Sequence, residues 1–326
     1  MDLRGVPSSV LEALQGAART LGISRLALVG GVVRDQLLHQ RCGRAWSGVP
    51  DLDWVVEGDA AELVAELVRQ FGSQRITDVQ EHGAFGTVSF RLDGLSLDLA
   101  TARQEHYPAL AENPVVQAGT LQADLARRDF TINAMALDLV GNELIDLHHG
   151  QEDLAAGQLR FLHAGSVQDD PTRVIRAARY AARLGFQLAM ESRAQISSTI
   201  QMWPWSWRQG DPAMAAPPAL ATRLRMELER LLEREPWPQA LDLLEQWQAM
   251  PLLDPQLQND SRRTQRLRWS RRLGLPLMPA LLLGAADPVA VAQRLQIPGK
   301  QQQWLQQCGA LCCLLYTSPS PRDLYQ

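Results

Sequence analysis

The residues in this sequence with the clearest chemical potential are Asp51 and Asp53, which flank the start of the apolar run Leu52–Val56. Residues i and i+2 of a β-strand point to the same face, so the run predicts two carboxylates side by side. Adjacent carboxylates repel each other unless a cation lies between them, and Mg²⁺ prefers carboxylate oxygens together with substrate phosphates. The pattern therefore predicts Asp51 and Asp53 as catalytic Mg²⁺ ligands of a two-metal nucleotidyl transfer site.

We expect Asp98 to be a third catalytic carboxylate. The surrounding residues read as two strands joined by a tight turn, in the order Thr87–Leu92, Asp93-Gly94 and Leu95–Ala100. In the second strand, Leu97 and Leu99 would point to the core and Asp98 to the opposite face. The alternative is an ordinary solvated aspartate, and we favour the catalytic interpretation because of this alternation.

A pair of glycines, Gly30 and Gly31, separates the apolar run Leu26–Val29 from the helical pattern Val32–His39. A strand–Gly–Gly–helix turn exposes backbone N–H groups at a helix N-terminus, which suits phosphate. Arg34, one turn into the helix, adds a planar cation for the same anion. The turn is therefore predicted to bind the phosphates of a nucleotide.

Two further polar clusters are candidates for nucleotide binding. The segment Arg127–Ala134 places two arginines, an aspartate and an asparagine next to an apolar run, and its alternative interpretation is a surface salt-bridge patch. Downstream, Asp170 suits a helix N-cap and Pro171 the first helical position. The helix that follows carries a row of arginines on one face, namely Arg173, Arg176, Arg179 and Arg183. A bound anion would offset their repulsion, whereas a solvated basic face is the alternative.

A third basic segment, Ser261–Leu273, is a candidate RNA-binding surface. It contains Trp269 among arginines that include Arg262, Arg263, Arg266 and Arg268. Arginines beside an aromatic ring can bind an RNA backbone and stack on a base. A solvated charged helix is an equally weighted alternative.

Composition sets the class of protein. The chain has 326 residues, 46% hydrophobic and 21% charged, with a formal net charge of −4. These values are typical of a globular protein with two or three domains, and they allow a local basic groove. No apolar run approaches the length of a membrane span, and the first residues lack a signal-peptide pattern. The four cysteines have no metal-site spacing, so we expect free thiols in the cytoplasm.

The pattern of periodicities predicts an α+β fold. Residues 1–150 are expected to form a mixed sheet with helices, and residues 151–315 an all-α region in which strand signals stop. The segment Glu105–Leu121 lacks periodicity and is predicted to be a surface loop. The segment Met202–Pro218 is predicted to be a connector, and residues 316–326 a disordered tail that resembles a translated cloning adaptor. The helical region is accordingly expected to be truncated at its C-terminal end.

Four motifs occur in a fixed order: G-G-x-V-R-D, D-L-D, R-R-D-F-T-I-N-A and D-D-P-T-R-V-I-R-A-A-R-Y. Together they resemble the class II tRNA nucleotidyltransferase and bacterial poly(A) polymerase family, and within it the CCA-adding enzymes. The resemblance covers roughly residues 26–186. It implies a DNA polymerase beta-like nucleotidyltransferase domain followed by a helical neck and body that bind tRNA.

The resemblance also implies a role for each matched residue. The glycine turn with Arg34 would hold the triphosphate, and Arg128, Asp129 and Asn133 would fix the sugar, the phosphates and neighbouring structure. Asp170 and Arg173 would recognise the incoming base, with Arg176 and Arg179 nearby. Where the family often has Glu-Asp, this chain has Asp169-Asp170. Asp169 is one methylene group shorter than the glutamate, so its role is the least defined of the set.

The resemblance implies template-independent transfer of CMP and AMP, from CTP and ATP, to the 3′ end of tRNA with Mg²⁺ as cofactor. An Asp–Arg pair can select both bases, because cytosine and adenine each present an amino donor beside a ring-nitrogen acceptor. The alternatives are a poly(A) polymerase, an enzyme that adds only CC or only A, and an RNA-binding protein with an inactive domain. A small-molecule nucleotidyltransferase is disfavoured, because the helical region and arginine clusters exceed what a small acceptor needs.

Overall fold

The computed structural model describes residues 3–46, 48, 52–83, 86–108, 111–202 and 218–317, with the backbone alone at 218–219 and 309–317. Asp51 lies outside the described residues, as do residues 203–217 of the predicted connector and residues 318–326 of the predicted tail. The chain forms two compact units, made of residues 1–108, 114–164 and 187–189, and of residues 109–113, 165–186 and 190–326. The predicted domain bounds, 1–150, 151–315 and 316–326, stay a prediction.

The first unit alternates strands and helices along the chain. Its elements are α1 (Ser8–Thr20), β1 (Leu26–Val29), α2 (Gly31–Cys42), β2 (Leu52–Val56), α3 (Ala60–Phe71), β3 (Ile76–His82), β4 (Thr87–Leu92), β5 (Leu95–Thr101), β6 (Arg103–His106), β7 (Val115–Ala118), α4 (Leu121–Ala126), β8 (Met135–Asp138), β9 (Glu143–Asp146), α5 (Gly150–Ala156), β10 (Gln158–Leu159) and β11 (Gln187–Leu188).

A seven-stranded mixed sheet forms the centre of the first unit, in the order β3-β4-β5-β2-β1-β8-β9. β2 and β5 are parallel, whereas β1 is antiparallel to both β2 and β8. All four residues of β1 are buried, because sheet neighbours lie on both sides and side chains pack on both faces. The predicted α+β class with a mixed N-terminal sheet is confirmed.

Local sequence signals explain where several elements begin and end. Asp59 caps α3, since its Oδ1 accepts hydrogen bonds from the N–H groups of Ala61 at 2.8 Å and Glu62 at 3.4 Å. The turn between β4 and β5 has positive φ angles at both Asp93 (51°) and Gly94 (82°). Such a turn matches the right-handed twist of the two strands and sets their register, which in turn sets the position of Asp98.

The prediction of a surface loop over Glu105–Leu121 is wrong for the parts of this segment that form strands. β6 and β7 pair as an antiparallel ribbon, with Gln104 opposite Gln117 and Glu105 opposite Val116. Five of the eight paired residues are polar, so the ribbon has no apolar alternation that a sequence could show. The prediction that no strand follows Gly150 is also wrong, because β10 pairs in parallel with β11. Each of these strands has two residues, which are too few to produce a periodic pattern in the sequence.

The second unit is helical in its described residues. Its elements are α6 (Ser166–Asp169), α7 (Thr172–Leu184), α8 (Met190–Gln201), α9 (Pro218–Arg234), α10 (Trp237–Gln246), α11 (Arg263–Arg272), α12 (Leu277–Leu282), α13 (Pro288–Arg294) and α14 (Gly299–Thr317). α7 packs against α9 and α10, and α12 packs against α11, α13 and α14. Within the described ranges, no helix is both long enough and apolar enough to cross a membrane.

Candidate active site

Two carboxylates meet on one face of the main sheet. Asp53 of β2 and Asp98 of β5 are register partners in a parallel pair, so their side chains point to the same side. Both are exposed, whereas Trp54 (1% exposed) and Leu99 (0%), the next register pair, are buried on the opposite face. Asp51 lies outside the described residues, so the structure places two of the three predicted carboxylates together.

The glycine turn lies at the same end of the sheet as this acidic pair. β1 and β2 are antiparallel, with Leu28 opposite Trp54. Gly30 follows the last residue of β1 and Asp53 precedes Trp54 in β2, so both lie where β1 ends and β2 begins. Phosphates bound at the turn would therefore lie near the carboxylates.

The backbone of Gly30 requires glycine. Its φ is 73° with ψ −131°, a region that side-chain-bearing residues avoid, and a Cβ there would lie 3.0 Å from Nη1 of Arg128. α2 begins at the next residue, which confirms the predicted strand–Gly–Gly–helix order. The same contact brings Arg128, predicted from a distant motif, to the glycine turn.

A buried hydrogen-bond network connects α2 to the segment that contains Asp129 and Asn133. Nη1 of Arg34 donates to Oδ1 of Asn133 at 2.7 Å, and Nδ2 of Asn133 donates to Oδ1 of Asp129 at 3.0 Å. Asp129 also accepts from the N–H of Phe130 at 2.9 Å. The side chains are 5–8% exposed, so this cluster is not a surface salt-bridge patch. The network holds Arg34 beside the turn, and its contacts with a nucleotide stay a prediction.

Asp124, which sequence reasoning missed, holds Arg127 and Arg128. Its side chain is fully buried; Oδ2 accepts from Nη2 of Arg128 at 2.9 Å, and Oδ1 accepts from Nη2 of Arg127 at 2.6 Å. Burial alone would raise the pKa of the Asp124 carboxyl, but the adjacent charges of Arg128 and Arg127 outweigh burial and lower that pKa below its ordinary value. The available signal was the spacing, since an acid three and four residues before two arginines on a helix shares their face.

The acidic pair is chemically suited to a divalent metal ion. Among the residues that the structure describes, no group of three or more His, Cys, Asp or Glu side chains is placed to hold a metal ion. Asp53 and Asp98 supply carboxylate oxygens, which are hard ligands. Mg²⁺ prefers one or two such carboxylates together with phosphate oxygens and water. The donor set therefore fits a hard divalent cation bound together with a nucleotide.

The predicted base-reading residues lie at the start of α7. Oδ1 of Asp170 accepts from the N–H of Thr172 at 3.1 Å and from its Oγ1 at 2.7 Å. Pro171 occupies the N-cap position and α7 begins at Thr172, one residue later than predicted. Oδ2 of Asp170 lies 3.3 Å from Nη1 of Arg223, an α9 residue that sequence reasoning missed. Arg173 is 5% exposed and donates to the carbonyl of Ser166 at 3.4 Å. Both side chains are thus held in place, and base recognition stays a prediction.

The arginine row of α7 carries its own countercharge. Arg176 donates to the carboxylate of Glu227 at 3.1 Å, and Arg179 bonds to both Glu227 and Glu235. The two glutamates are 5% and 8% exposed. The negative charge that was expected from a bound anion is therefore supplied at least in part by the protein, and nucleotide contacts of Arg176 and Arg179 stay a prediction.

The arginines of α11 divide into an internal and an external set. Arg263 is 3% exposed and pairs with Asp242 at 2.8 Å, and Arg266 pairs with Asp260, so both stabilise the helical packing. Arg262, Arg268 and Trp269 are exposed. A cleft of about 440 Å³ lies along this external side, lined by Ser261, Thr264, Gln265, Arg268, Trp269 and Arg272. RNA binding stays a prediction, and the external set is where the structure allows it.

Comparisons with known proteins agree with this geometry. Residues 26–160 match the Poly A polymerase head domain family. The chain is 38% identical over 287 residues to a CC-adding tRNA nucleotidyltransferase of Deinococcus radiodurans, covering 84% of this chain and 67% of that protein. It is 40% identical over 181 residues to an A-adding tRNA nucleotidyltransferase of Aquifex aeolicus, covering 55% of this chain and 21% of that protein. The chain thus spans between about a fifth and two thirds of these relatives.

Solved structures with the same fold cover nearly the whole chain. A CCA-adding enzyme in an apo form superposes with a TM-score of 0.73 at 26% identity, covering 96% of this chain and 74% of that one. A tRNA nucleotidyltransferase complexed with a primer tRNA and an incoming ATP analog superposes with a TM-score of 0.63 at 25% identity, covering 96% of this chain and 89% of that one. The chain belongs to the tRNA nucleotidyltransferase family. Nucleotidyltransferases of this family use divalent metal ions, in agreement with the exposed carboxylate pair.

Proposed function

We propose that this protein transfers CMP and AMP from CTP and ATP to the 3′ end of tRNA, without a nucleic-acid template, and releases pyrophosphate. The observation that carries the proposal is the register pair of Asp53 and Asp98 at the end of the sheet where the Gly30 turn begins. The relatives support the acceptor and the nucleotides, because their names specify tRNA and the addition of C or A. Related structures were solved with CTP and with a primer tRNA and an ATP analog.

In the proposed reaction, Asp53 and Asp98 would hold Mg²⁺ together with Asp51. Bound there, the ions would lower the pKa of the attacking 3′-hydroxyl and stabilise the charge of the leaving pyrophosphate. The backbone N–H groups at the start of α2 bind the triphosphate, and the guanidinium of Arg128, held against Gly30 by Asp124, adds positive charge there. The chain's own contribution is thus to orient the α-phosphate toward the acceptor hydroxyl.

Selection of C and A is assigned to Asp170 and Arg173. An ionised carboxylate accepts from the exocyclic amino group, and a guanidinium donates to the ring nitrogen. Uracil and guanine present the reverse pattern, so each mismatched buried group would lose roughly 1–3 kcal/mol. The hydrogen bonds of Asp170 to Thr172 support this assignment, because they restrict the carboxylate to one orientation.

The acceptor RNA is assigned to the external side of α11. Arg268 and Arg272 offer positive charge to phosphates, and Trp269, 52% exposed, offers a ring face for stacking. A protein with this substrate acts where tRNA matures, so we infer a cytoplasmic location, which cell fractionation with tagged full-length protein tests directly.

The test incubates the protein and Mg²⁺ with a tRNA trimmed of its 3′ CCA and with CTP, ATP or both. Addition of C, C and A with both nucleotides, resolved on a sequencing gel, is the expected result. Long A tails would indicate a poly(A) polymerase. Tight tRNA binding without any incorporation, at every Mg²⁺ and nucleotide concentration, would contradict the enzymatic proposal in favour of an RNA-binding protein.

A second candidate is an enzyme that adds only the two cytidines. It is favoured by the Deinococcus relative, a CC-adding enzyme that aligns with 84% of this chain. The discriminating arm uses tRNA that already ends in CC. Incorporation of AMP from ATP alone supports full CCA addition, whereas no AMP incorporation, with normal addition of two cytidines to trimmed tRNA, supports the CC-only enzyme.

A further inference from the structure

A hydroxyl and an imidazole extend from Asp98 across the face of the sheet. Ser89 of β4 is the register partner of Asp98, and its Oγ donates a hydrogen bond to Oδ1 of Asp98 at 2.5 Å. Nε2 of His82, in β3, lies 3.2 Å from the same Oγ. Three neighbouring strands thus contribute one side chain each to a continuous chain of contacts that ends at the acidic pair.

The direction of these hydrogen bonds is determined by their chemistry. A serine hydroxyl has one hydrogen, and a carboxylate only accepts, so the hydrogen of Ser89 is used on Asp98. The Ser89 oxygen must then accept from His82, which requires a hydrogen on Nε2 of the imidazole. His82 therefore orients Ser89 toward Asp98.

This contact restricts a side chain that would otherwise rotate. The terminal torsion of an aspartate has a broad, roughly two-fold energy profile, and repulsion from Asp53 would turn the Asp98 carboxylate further. The hydroxyl fixes Oδ1 toward β4 and leaves Oδ2, which accepts no hydrogen bond from any other described residue, for a ligand. We propose that Ser89, supported by His82, is a positioning residue that orients Asp98 for nucleotide transfer, an inference that rests on the proposed function.

A purely structural role for Ser89 makes a different prediction. Ser89 is half-buried at the solvent face of the sheet, where one hydrogen bond contributes about 1 kcal/mol or less to stability. A positioning role instead appears in the rate, because a small misplacement of a catalytic group can reduce turnover by an order of magnitude or more. Measurements of stability and turnover on the same variants therefore separate the two roles.

The matched variants are Ser89→Thr and Ser89→Val in the full-length protein. Both are β-branched and suit a strand, and they differ by a hydroxyl in place of a methyl group. We expect Ser89→Thr to retain kcat within about two-fold and Ser89→Val to lose about ten-fold in kcat, with KM for CTP within about two-fold for both. The required concentration of Mg²⁺ should rise only in Ser89→Val, while both variants unfold at similar temperatures.

Two further arms make the result decisive. His82→Phe should lower kcat by about two- to three-fold in the wild-type background and have no added effect with Ser89→Val, because the two act through one contact. Asp98→Asn tests the proposed function itself: full activity there would overturn the active-site assignment. If Asp98→Asn is inactive but Ser89→Val turns over like Ser89→Thr, the positioning role is wrong and the proposed function stands.

Discussion

Like charges lie side by side in two regions of this protein, with opposite consequences. On the sheet face of the first unit, Asp53 and Asp98 are exposed, and the hydrogen-bond donor to Asp98 is the neutral hydroxyl of Ser89. On α7 in the second unit, Arg176 and Arg179 pair with the buried carboxylate of Glu227. The arginines of α7 contribute to packing, because a buried carboxylate lies among them, whereas the exposed carboxylates on the sheet face are accessible to a ligand.

Removal of divalent ions should have the largest effect of the changes considered. It should reduce catalysis at the sheet face and leave the packing of α7 unchanged. With EDTA in excess, we expect nucleotide incorporation to fall by at least about 10³-fold, because the ions that activate the attacking hydroxyl and bind the phosphates are then removed. The far-UV circular dichroism and the unfolding temperature should change little, and added Mg²⁺ should restore activity. Loss of the folded state in EDTA would show that the metal is structural. The sheet-face carboxylates would then have a packing role, as the α7 arginines do.

Glu227→Gln should break the packing role of the α7 arginines. Glu227 is 5% exposed and accepts from Arg176, Arg179 and Arg230. Loss of that charge beside the partly exposed guanidinium groups of Arg176, Arg179 and Arg230 should destabilise the protein by about 2–4 kcal/mol in urea unfolding, less than for a fully buried pair. The control is Glu229→Gln on the same helix, a more exposed acid whose pair with Arg225 spans 3.5 Å, and it should change stability by less than about 1 kcal/mol. Equal stability of the two variants would contradict the packing role.

Asp124→Asn tests an internal ion pair in the first unit. Asp124 is buried, and it holds Arg128 beside the Gly30 turn. We expect a loss of about 2–3 kcal/mol in stability at pH 7, since Arg127 and Arg128 lose a buried charged partner. The pKa of Asp124 is lowered in the folded state, so its contribution is complete above the ordinary carboxyl pKa and is lost as pH falls through the lowered value.

The pH dependence gives this prediction its control. The stability difference between the wild type and Asp124→Asn should shrink steadily in acid. Asp93→Asn, an exposed acid at the positive-φ hairpin turn that pairs with half-buried Arg75, should change stability by less than about 1 kcal/mol at any pH. A difference for Asp124→Asn that grows in acid would contradict the assigned sign.

Variants of the external side of α11 should have the smallest effect. Trp269→Ala should raise KM for tRNA by roughly three- to ten-fold with kcat unchanged, because stacking contributes affinity and no chemistry. Arg268→Gln should reduce the slope of log affinity against log salt by about one, as expected for a single phosphate contact. Leu273→Ala, exposed on the same segment but outside the cleft, is the control and should change neither value. Equal effects of all three variants would show that the cleft is not the RNA surface.

The parts of the fold that the sequence predicted correctly are those determined by nearby residues. The Asp93-Gly94 turn and the Gly30 turn each depend on one or two backbone angles and the residues that suit them. The alternation of Leu97, Asp98 and Leu99 likewise identified the exposed face of β5. These local signals were enough to predict the exposed face on which Asp98 lies and the position of the glycine turn.

The contacts that sequence reasoning missed are long-range or polar. Glu227 lies about fifty residues from the arginines that it pairs with, and no local period connects them. Ser89 faces Asp98 only because of the register of the β4–β5 hairpin. A serine in a strand does not by itself indicate a functional role. The β6–β7 ribbon was missed because its paired residues are mostly polar. Each case requires knowledge of which strands or helices are neighbours in space.

The most direct test of the central claim compares nucleotide incorporation by Asp53→Asn, Asp98→Asn and the control Glu81→Gln, an exposed acid on strand β3 of the same sheet. With trimmed tRNA, Mg²⁺, CTP and ATP, the two aspartate variants should each lose at least about 10³-fold in incorporation and keep the wild-type unfolding temperature, while the control keeps full activity. Incorporation at the wild-type rate by either aspartate variant would contradict the assignment of this carboxylate pair as the catalytic centre.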